Sequence, residues 1–252
     1  MSRGAVVFGV ALALFGLGPG GPARAAEPLV ADLTSHLIAI TTGFTGASVV
    51  LFGAIDAPGE VIVVVRGPDR EAVVRQKSRV AGIWINKREV TFTGVPSFYA
   101  IFSRRPLDQI ASAVTQGLHQ LGIGNLRLGV AARSVPADQV PDYRAALIRE
   151  QQRAQLYAEE VGGVSFLPGD RLFRATINFP ANVPTGTYRV EVLLVRDKTV
   201  ISGQTTPLFI SQSGLDAEVS EFADRRAWFY GIVAVAGAAM AGWLASLPFR
   251  NA

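Results

Sequence analysis

The chain has 252 residues, 49% of them hydrophobic, with 24 Lys and Arg against 20 Asp and Glu and no cysteine. Without cysteine there is no disulfide, iron–sulfur cluster, thiolate zinc site or cysteine nucleophile. Once Arg3, Arg24 and Arg250 at the apolar ends are set aside, residues 26–226 hold 21 basic against 20 acidic groups, which lacks the concentrated basic face that nucleic-acid binding requires.

The first residues combine one early cation, Arg3, an apolar run from Ala5 to Leu17 and a small-residue exit at Ala23-Arg24-Ala25. That order predicts a secretory signal peptide over residues 1–25, with an uncleaved amino-terminal anchor as the competing reading; the run is short of the ~20 residues a span needs.

Residues 26–130 read as a first β-rich module with a helix. The runs Ala47–Ile55 and Glu60–Arg66 flank the turn signal Asp56-Ala57-Pro58-Gly59 and predict an antiparallel pair. Residues 36–42, 80–86, 89–93 and 98–103 are further strand candidates. Val61 to Val65 is apolar at every position, so both faces of that strand need cover. Pro106 to Leu121 carries Leu107, Ile110, Ala111, Val114, Leu118 and Leu121 at intervals of three and four, the stripe of an amphipathic helix. Residues 131–163 read as a helical linker. Its helix opens at Pro141 and runs to Glu160 before Gly162-Gly163, with a polar face that suits a solvated connection.

Residues 164–212 read as a second β-rich module, with strands over 172–179, 187–196 and 199–210 and a tight connection at Asp197-Lys198. The Pro180-to-Gly186 turn feeding Tyr188 is of the kind immunoglobulin-like modules use. A module of this size is small for an independent sandwich and is open to sharing a core with the first. Residues 213–226 form a connector. Residues 227–247 carry no charge, and at ~1.5 Å per residue they cover the ~30 Å hydrocarbon core as a transmembrane helix; Trp228, Tyr230 and Trp243 lie near its ends. Residues 248–252 form a cytoplasmic tail. Ala234, Gly237, Ala238, Ala241 and Gly242 make small-residue ridges that predict a helix–helix contact in lipid, with a second copy or with another protein. The predicted fold class is therefore mainly β: immunoglobulin-like, sandwich-type modules with connecting helices and a single C-terminal transmembrane helix.

Reactive constellations are sparse. The two histidines, His36 and His119, are far apart and outside any metal motif. No Gly-x-Ser-x-Gly elbow or phosphate-binding loop occurs. The carboxylate pairs Asp138 with Asp142 and Glu159 with Glu160 fall in or beside the linker helix, and neighbours on a helix do not face one another. The basic run Arg66, Arg70, Arg75, Lys77 and Arg79 reads as a solvated, aggregation-resistant strand edge, with contact to anionic lipid or an acidic partner as the sharper alternative. Trp84 is either the second face of a buried strand or an exposed anchor; were it exposed with Tyr99 near Arg105, those three would form the candidate interaction patch. Catalytic residues, cofactors and metal are expected to be absent.

Gly82-Ile-Trp-Ile-Asn86, Val95-Pro-Ser-Phe-Tyr-Ala100, Arg105-Pro-Leu107, Leu172-Phe-Arg-Ala175, Pro180-Ala-Asn-Val-Pro184, Gly186-Thr-Tyr188, Tyr230-Gly231 and Gly242-Trp243 together resemble the alphaproteobacterial putative transmembrane protein family. The resemblance covers nearly the whole chain. It implies a signal peptide and a carboxy-terminal span and brings no catalytic residues. The expected protein is a single-span anchor in the cytoplasmic membrane with its bulk in the periplasm. It is read as a non-enzymatic accessory or scaffold subunit, with a ligand- or envelope-polymer-binding module as the alternative. Its partners would be membrane lipid through the last helix and a membrane protein or a second copy.

Overall fold

A computed structural model describes residues 28–80 and 83–212, with residues 231, 235 and 237–240 beyond them. In chain order the strands are β1 (Leu29–Leu33), β2 (Leu37–Ile40), β3 (Gly46–Ile55), β4 (Glu60–Arg66), β5 (Asp69–Val80), β6 (Ile83–Pro96) and β7 (Tyr99–Ser103). Helices α1 (Leu107–Ile110) and α2 (Ala113–His119) follow, then β8 (Gly129–Arg133), α3 (Val140–Arg153), β9 (Tyr157–Val161), β10 (Val164–Phe166), β11 (Leu172–Pro180), β12 (Gly186–Arg196) and β13 (Thr199–Gln212).

A four-stranded sheet, β1-β3-β11-β10, and a six-stranded sheet, β2-β13-β12-β4-β7-β9, share one buried apolar cluster. Strict alternation in β11, where Phe173, Ala175, Ile177 and Phe179 are buried between exposed neighbours, directs one face of the smaller sheet into that cluster. The larger sheet is buried on both sides at its centre. Val61 to Val65 of β4 are all fully buried, because β12 and β7 flank the strand and the sandwich core covers one of its faces. Ile110, Ala111, Leu121, Ile123 and Leu126, from the segment that carries α1 and α2, belong to the same cluster and cover the other.

Several sequence expectations change at this level. Ala47–Ile55 and Glu60–Arg66 do not pair; β3 lies between β1 and β11, and β4 between β12 and β7. The Asp56-to-Gly59 turn therefore carries the chain from one sheet to the other. Strands of the 26–130 and 164–212 regions stand side by side in both sheets and bury one cluster, which is the shared core that the small size of the second region left open. The stripe from Leu107 to Leu121 is broken at Ala111, which is extended and bridges to Lys198. Ser112 then caps α2 by accepting from the Thr115 amide. The restart rotates the stripe, leaving Val114 and Leu118 exposed.

The linker helix is shorter than expected, Val140–Arg153 with Pro141 in its first turn. It is also part of a core: Tyr143 and Leu147 are buried with Val90, Phe92, Val95 and Val135 in a second cluster. Glu159 and Glu160 lie on β9, which adds in parallel to the open edge of β7. The Asp197-Lys198 connection does form a two-residue hairpin turn; both residues have positive φ, at 50° and 62°, as that turn requires.

The third sheet, β5-β6-β8, grows out of the second. β4 and β7 pair up to Arg66 and Tyr99, and the ladder continues through Gly67–Phe98 and Pro68–Ser97 bonds into β5 and β6. The chain thus forms one long hairpin that runs out of the sandwich. Gly67 is needed there because a Cβ would fall 2.5 Å from Ser97 Oγ. Gly186, with φ of 142°, lets Pro68 pack onto its backbone, where a Cβ would come 2.7 Å from the proline ring. Residues 83–86 and 89–93, expected in separate strands, are both part of the returning strand β6, while Val80 ends β5 and residues 81 and 82 lie outside the described residues.

Candidate functional site

On the helix-covered face of the larger sheet, register places Tyr99 beside Arg66 and Tyr157 beside Tyr99. Arg66, with a side chain only 12% exposed, pairs with Glu191 of β12, and its other terminal nitrogen donates to the His119 carbonyl at 2.7 Å. The fully buried Tyr99 hydroxyl donates to the Gln120 carbonyl and accepts from the Gly122 amide, both at 2.9 Å. The Glu159 carboxylate accepts from the Ile123 amide. Three strands thus supply charged or hydroxyl groups to the backbone that leaves α2, whose orphan carbonyls and turn amides would otherwise be desolvated. Burial pushes the Tyr99 phenol up to about 12, opposed by the neighbouring Arg66 charge; Tyr157 is also raised by burial. These groups engage one another and the backbone, so the node clamps the helical cap onto the sheet. Sequence reading missed it because Arg66, Tyr99, Glu159 and Glu191 are scattered along the chain and meet only through strand register.

The opposite surface of the molecule differs in character. The outward face of the four-stranded sheet forms an apolar groove of about 450 Å3 whose wall includes Val30, Phe52, Leu167 and Leu172, with Asp32 and Arg174 among the lining residues. Those four apolar side chains are 57%, 49%, 41% and 52% exposed. Behind this wall Gly53 faces the core, where the Phe173 ring lies in the place its Cβ would take. The alternation of β3 and β11 marks this face as the solvent side, and the signal that could have revealed the groove is that Val50, Phe52 and Leu172 occupy outward positions.

The predicted interaction residues do not come together. Tyr99 is fully buried in the node, so it belongs to no exposed patch: its place on a central strand beneath the cap removes it from solvent. Arg105 lies beyond β7, half-exposed, and its guanidinium is held 2.7 Å from Glu60. Trp84 is on β6, paired in register with Arg79, far along the hairpin from Tyr99. Of the ridge residues, Gly237 and Ala238 are helical, whereas Ala234, Ala241 and Gly242 lie outside the described residues, as do the predicted signal peptide, connector, most of the predicted span and the tail. Among the described residues, no helix is long and apolar enough to cross a membrane.

His36 stands 3.0 Å from Asp32 on an exposed turn, and the nearby Ser35 hydroxyl is bonded to the Leu37 backbone. His119 ends α2 and contributes its carbonyl to Arg66. Asp138 and Asp142 sit around the start of α3, where carboxylates complement the helix dipole. Among the described residues, no group of three or more His, Cys, Asp or Glu side chains is arranged to hold a metal ion.

The described residues thus define a mainly β protein of three sheets, with a clamped helical cap and a projecting hairpin. The model of a family described as putative transmembrane protein matches residues 28–251, and the chain belongs to that alphaproteobacterial family. Membrane localisation accords with this membership. No curated protein matches the chain.

Proposed function

We propose that the protein is a non-enzymatic accessory or scaffold subunit, held in the cytoplasmic membrane by one span over residues 227–247, with its sandwich in the periplasm. The charge-free run and the signal-like start support this topology. An immunoglobulin-like character for the sandwich is supported by Tyr188, whose hydroxyl donates to the Pro184 carbonyl four residues upstream, as in the tyrosine corner of such folds.

The observation that carries the scaffold reading is the apolar groove on the open sheet face. Large apolar side chains clustered on a solvent-facing sheet, with charged residues beside them, are the composition of a docking surface for a protein. A photo-crosslinker placed at Leu172 in the membrane-bound chain should capture one dominant envelope protein, and Phe52→Asp should abolish that capture without unfolding the sandwich. Capture of lipid alone, or capture unaffected by Phe52→Asp, refutes the reading. The groove's volume, within the range of small-molecule sites, favours an apolar ligand as the second reading. Native mass spectrometry of the detergent-solubilised chain would show a bound mass that Phe52→Asp removes.

A further inference from the structure

The six-stranded sheet ends on β9, and part of that edge is open. The Tyr99 amide donates to the Leu156 carbonyl at 2.9 Å and the Gly162 amide to the Ser103 carbonyl at 2.7 Å. Leu156, Ala158, Glu160 and Gly162 therefore turn their backbone groups toward β7, and the residues between them turn theirs away from the sheet. Tyr157 is buried and α3 packs against β9, which leaves Glu159 and Val161 as the open stretch. Both are exposed, Val161 by 61%, and among the described residues their outward N–H and C=O groups have no hydrogen-bond partner. The first strand of the smaller sheet is treated differently. Gln204 of β13 reaches the free edge of β1, where its side chain accepts from the Ala31 amide and donates to the Ala31 carbonyl, both at 2.8 Å.

Register sets Glu159 beside Ile101 and Val161 beside Ser103, on the face of the sheet that the cap covers. There a polar cavity of about 390 Å3 opens between the two strands and the helical segment. Asp108, Glu159 and Glu160 line it together with Gln116 and Asn125, and among the described residues its wall holds no Lys, Arg or His. None of the three carboxylates is in an ion pair among the described residues, whereas Glu60, Glu89 and Glu191 each hold an arginine. An extended peptide laid along an open edge gains affinity from backbone bonds and specificity from alternate side chains. On β9 those alternate side chains pass Glu159 and Val161, so one of them falls at the cavity mouth, where the surrounding charge selects a cation. A second copy of this chain is excluded on the same ground, because β9 against β9 sets Glu159 and Glu160 against their own kind.

We infer that β9 takes up an extended basic segment of a partner protein as a seventh strand, with a Lys or Arg of that segment seated in the cavity beside Asp108, Glu159 and Glu160. The apolar groove lies on the other sheet, so this edge is a separate contact.

The test pans random heptapeptides displayed on phage against the full chain in mild detergent. Recovered peptides should carry Lys or Arg at one fixed position among strand-favouring residues, without proline. Their synthetic forms should bind about tenfold more weakly to Val161→Pro, which removes an outward N–H and leaves the ladder to β7 intact. Binding should fall severalfold in the variant Asp108→Asn, Glu160→Gln and in ~0.5 M salt, which screens charge. Hydrogen exchange on the unaltered chain guards against a folding defect in these variants: the Glu159 and Val161 amides should slow when peptide is added. Peptides without a fixed cation, binding indifferent to Val161→Pro, or unprotected amides overturn the inference. Binding abolished by Phe52→Asp would place the peptides in the groove and also overturns it. So does self-association of the chain that Val161→Pro abolishes, which would assign the edge to a second copy, and so does binding of calcium ion in the cavity with no peptide recovered.

Discussion

Replacing Tyr99 by Phe removes one oxygen from a fully buried side chain and leaves the ring in place. The Gln120 carbonyl keeps a second, longer contact from Arg66 at 3.3 Å, but the buried Gly122 amide loses the hydroxyl it donates to. A net hydrogen bond contributes about 1 kcal/mol, and a buried donor left without a partner costs about 1–3 kcal/mol. The expected destabilisation is about 2–3 kcal/mol, with no change in denaturant dependence because the buried area is unchanged. Tyr143→Phe is the control. Among the described residues that hydroxyl meets only the Gln76 side chain, at 3.2 Å, which can turn to water, so its loss should cost less than about 1 kcal/mol. Urea unfolding of the full chain in mild detergent, followed by circular dichroism, measures both. Hydrogen exchange should show the Gly122 region opening before the sheets in the Tyr99 variant. If Tyr99→Phe costs no more than Tyr143→Phe, the node does not clamp the cap.

The same burial predicts an alkaline limit. Tyr99 and Tyr188 are raised from 10.0 to about 12, chiefly by desolvation. Below pH ~10 both folded and unfolded chains hold these protons and stability is fully present. As pH rises from ~10 to ~12 the unfolded chain ionises first, and about 1.4 kcal/mol is lost per pH unit for each such tyrosine. Unfolding midpoints measured from pH 8 to 12 should be flat and then fall, less steeply in Tyr99→Phe; a flat profile to pH 12 contradicts the assignment. Gly53→Ala places a Cβ 2.5 Å from both the Phe173 ring and the Val30 carbonyl, an overpacking that costs about 1–3 kcal/mol. Gly43→Ala, with open space around it, should be near neutral, and adding Phe173→Leu should not restore the Gly53 variant because the Val30 backbone remains in the way; thermal unfolding of the three variants decides it.

The sandwich, the cap and the hairpin stand in a clear division of labour. The core that β4 shares with β12 and the four-stranded sheet leaves one surface open, where the groove lies. The opposite side is closed by the cap through Arg66, Tyr99 and Glu159. The hairpin leaves from β4 and β7 themselves, so its base is continuous with strands that are buried along their length. At that base Gly67 and Gly186 admit the close approach of Ser97 and Pro68.

The composition, the strands β11, β12 and β13, the turn at Asp197-Lys198, the start of α3 at Pro141 and the need to cover both faces of Val61 to Val65 were all legible from residue order, whereas the short β10 was not. Alternation, turn chemistry and helix-start preferences act over a few neighbouring residues, and each leaves its mark locally. Pairing does not. Every strand offers the same backbone donors and acceptors, so residue order alone could not say that β3 joins β11 and not β4, that β9 completes an edge instead of prolonging a helix, or that Tyr99 meets Arg66 and Gly122. Those choices were made by the simultaneous burial of both sheets in one core. They assembled the node, opened the groove and sent the hairpin out from the same end as β13.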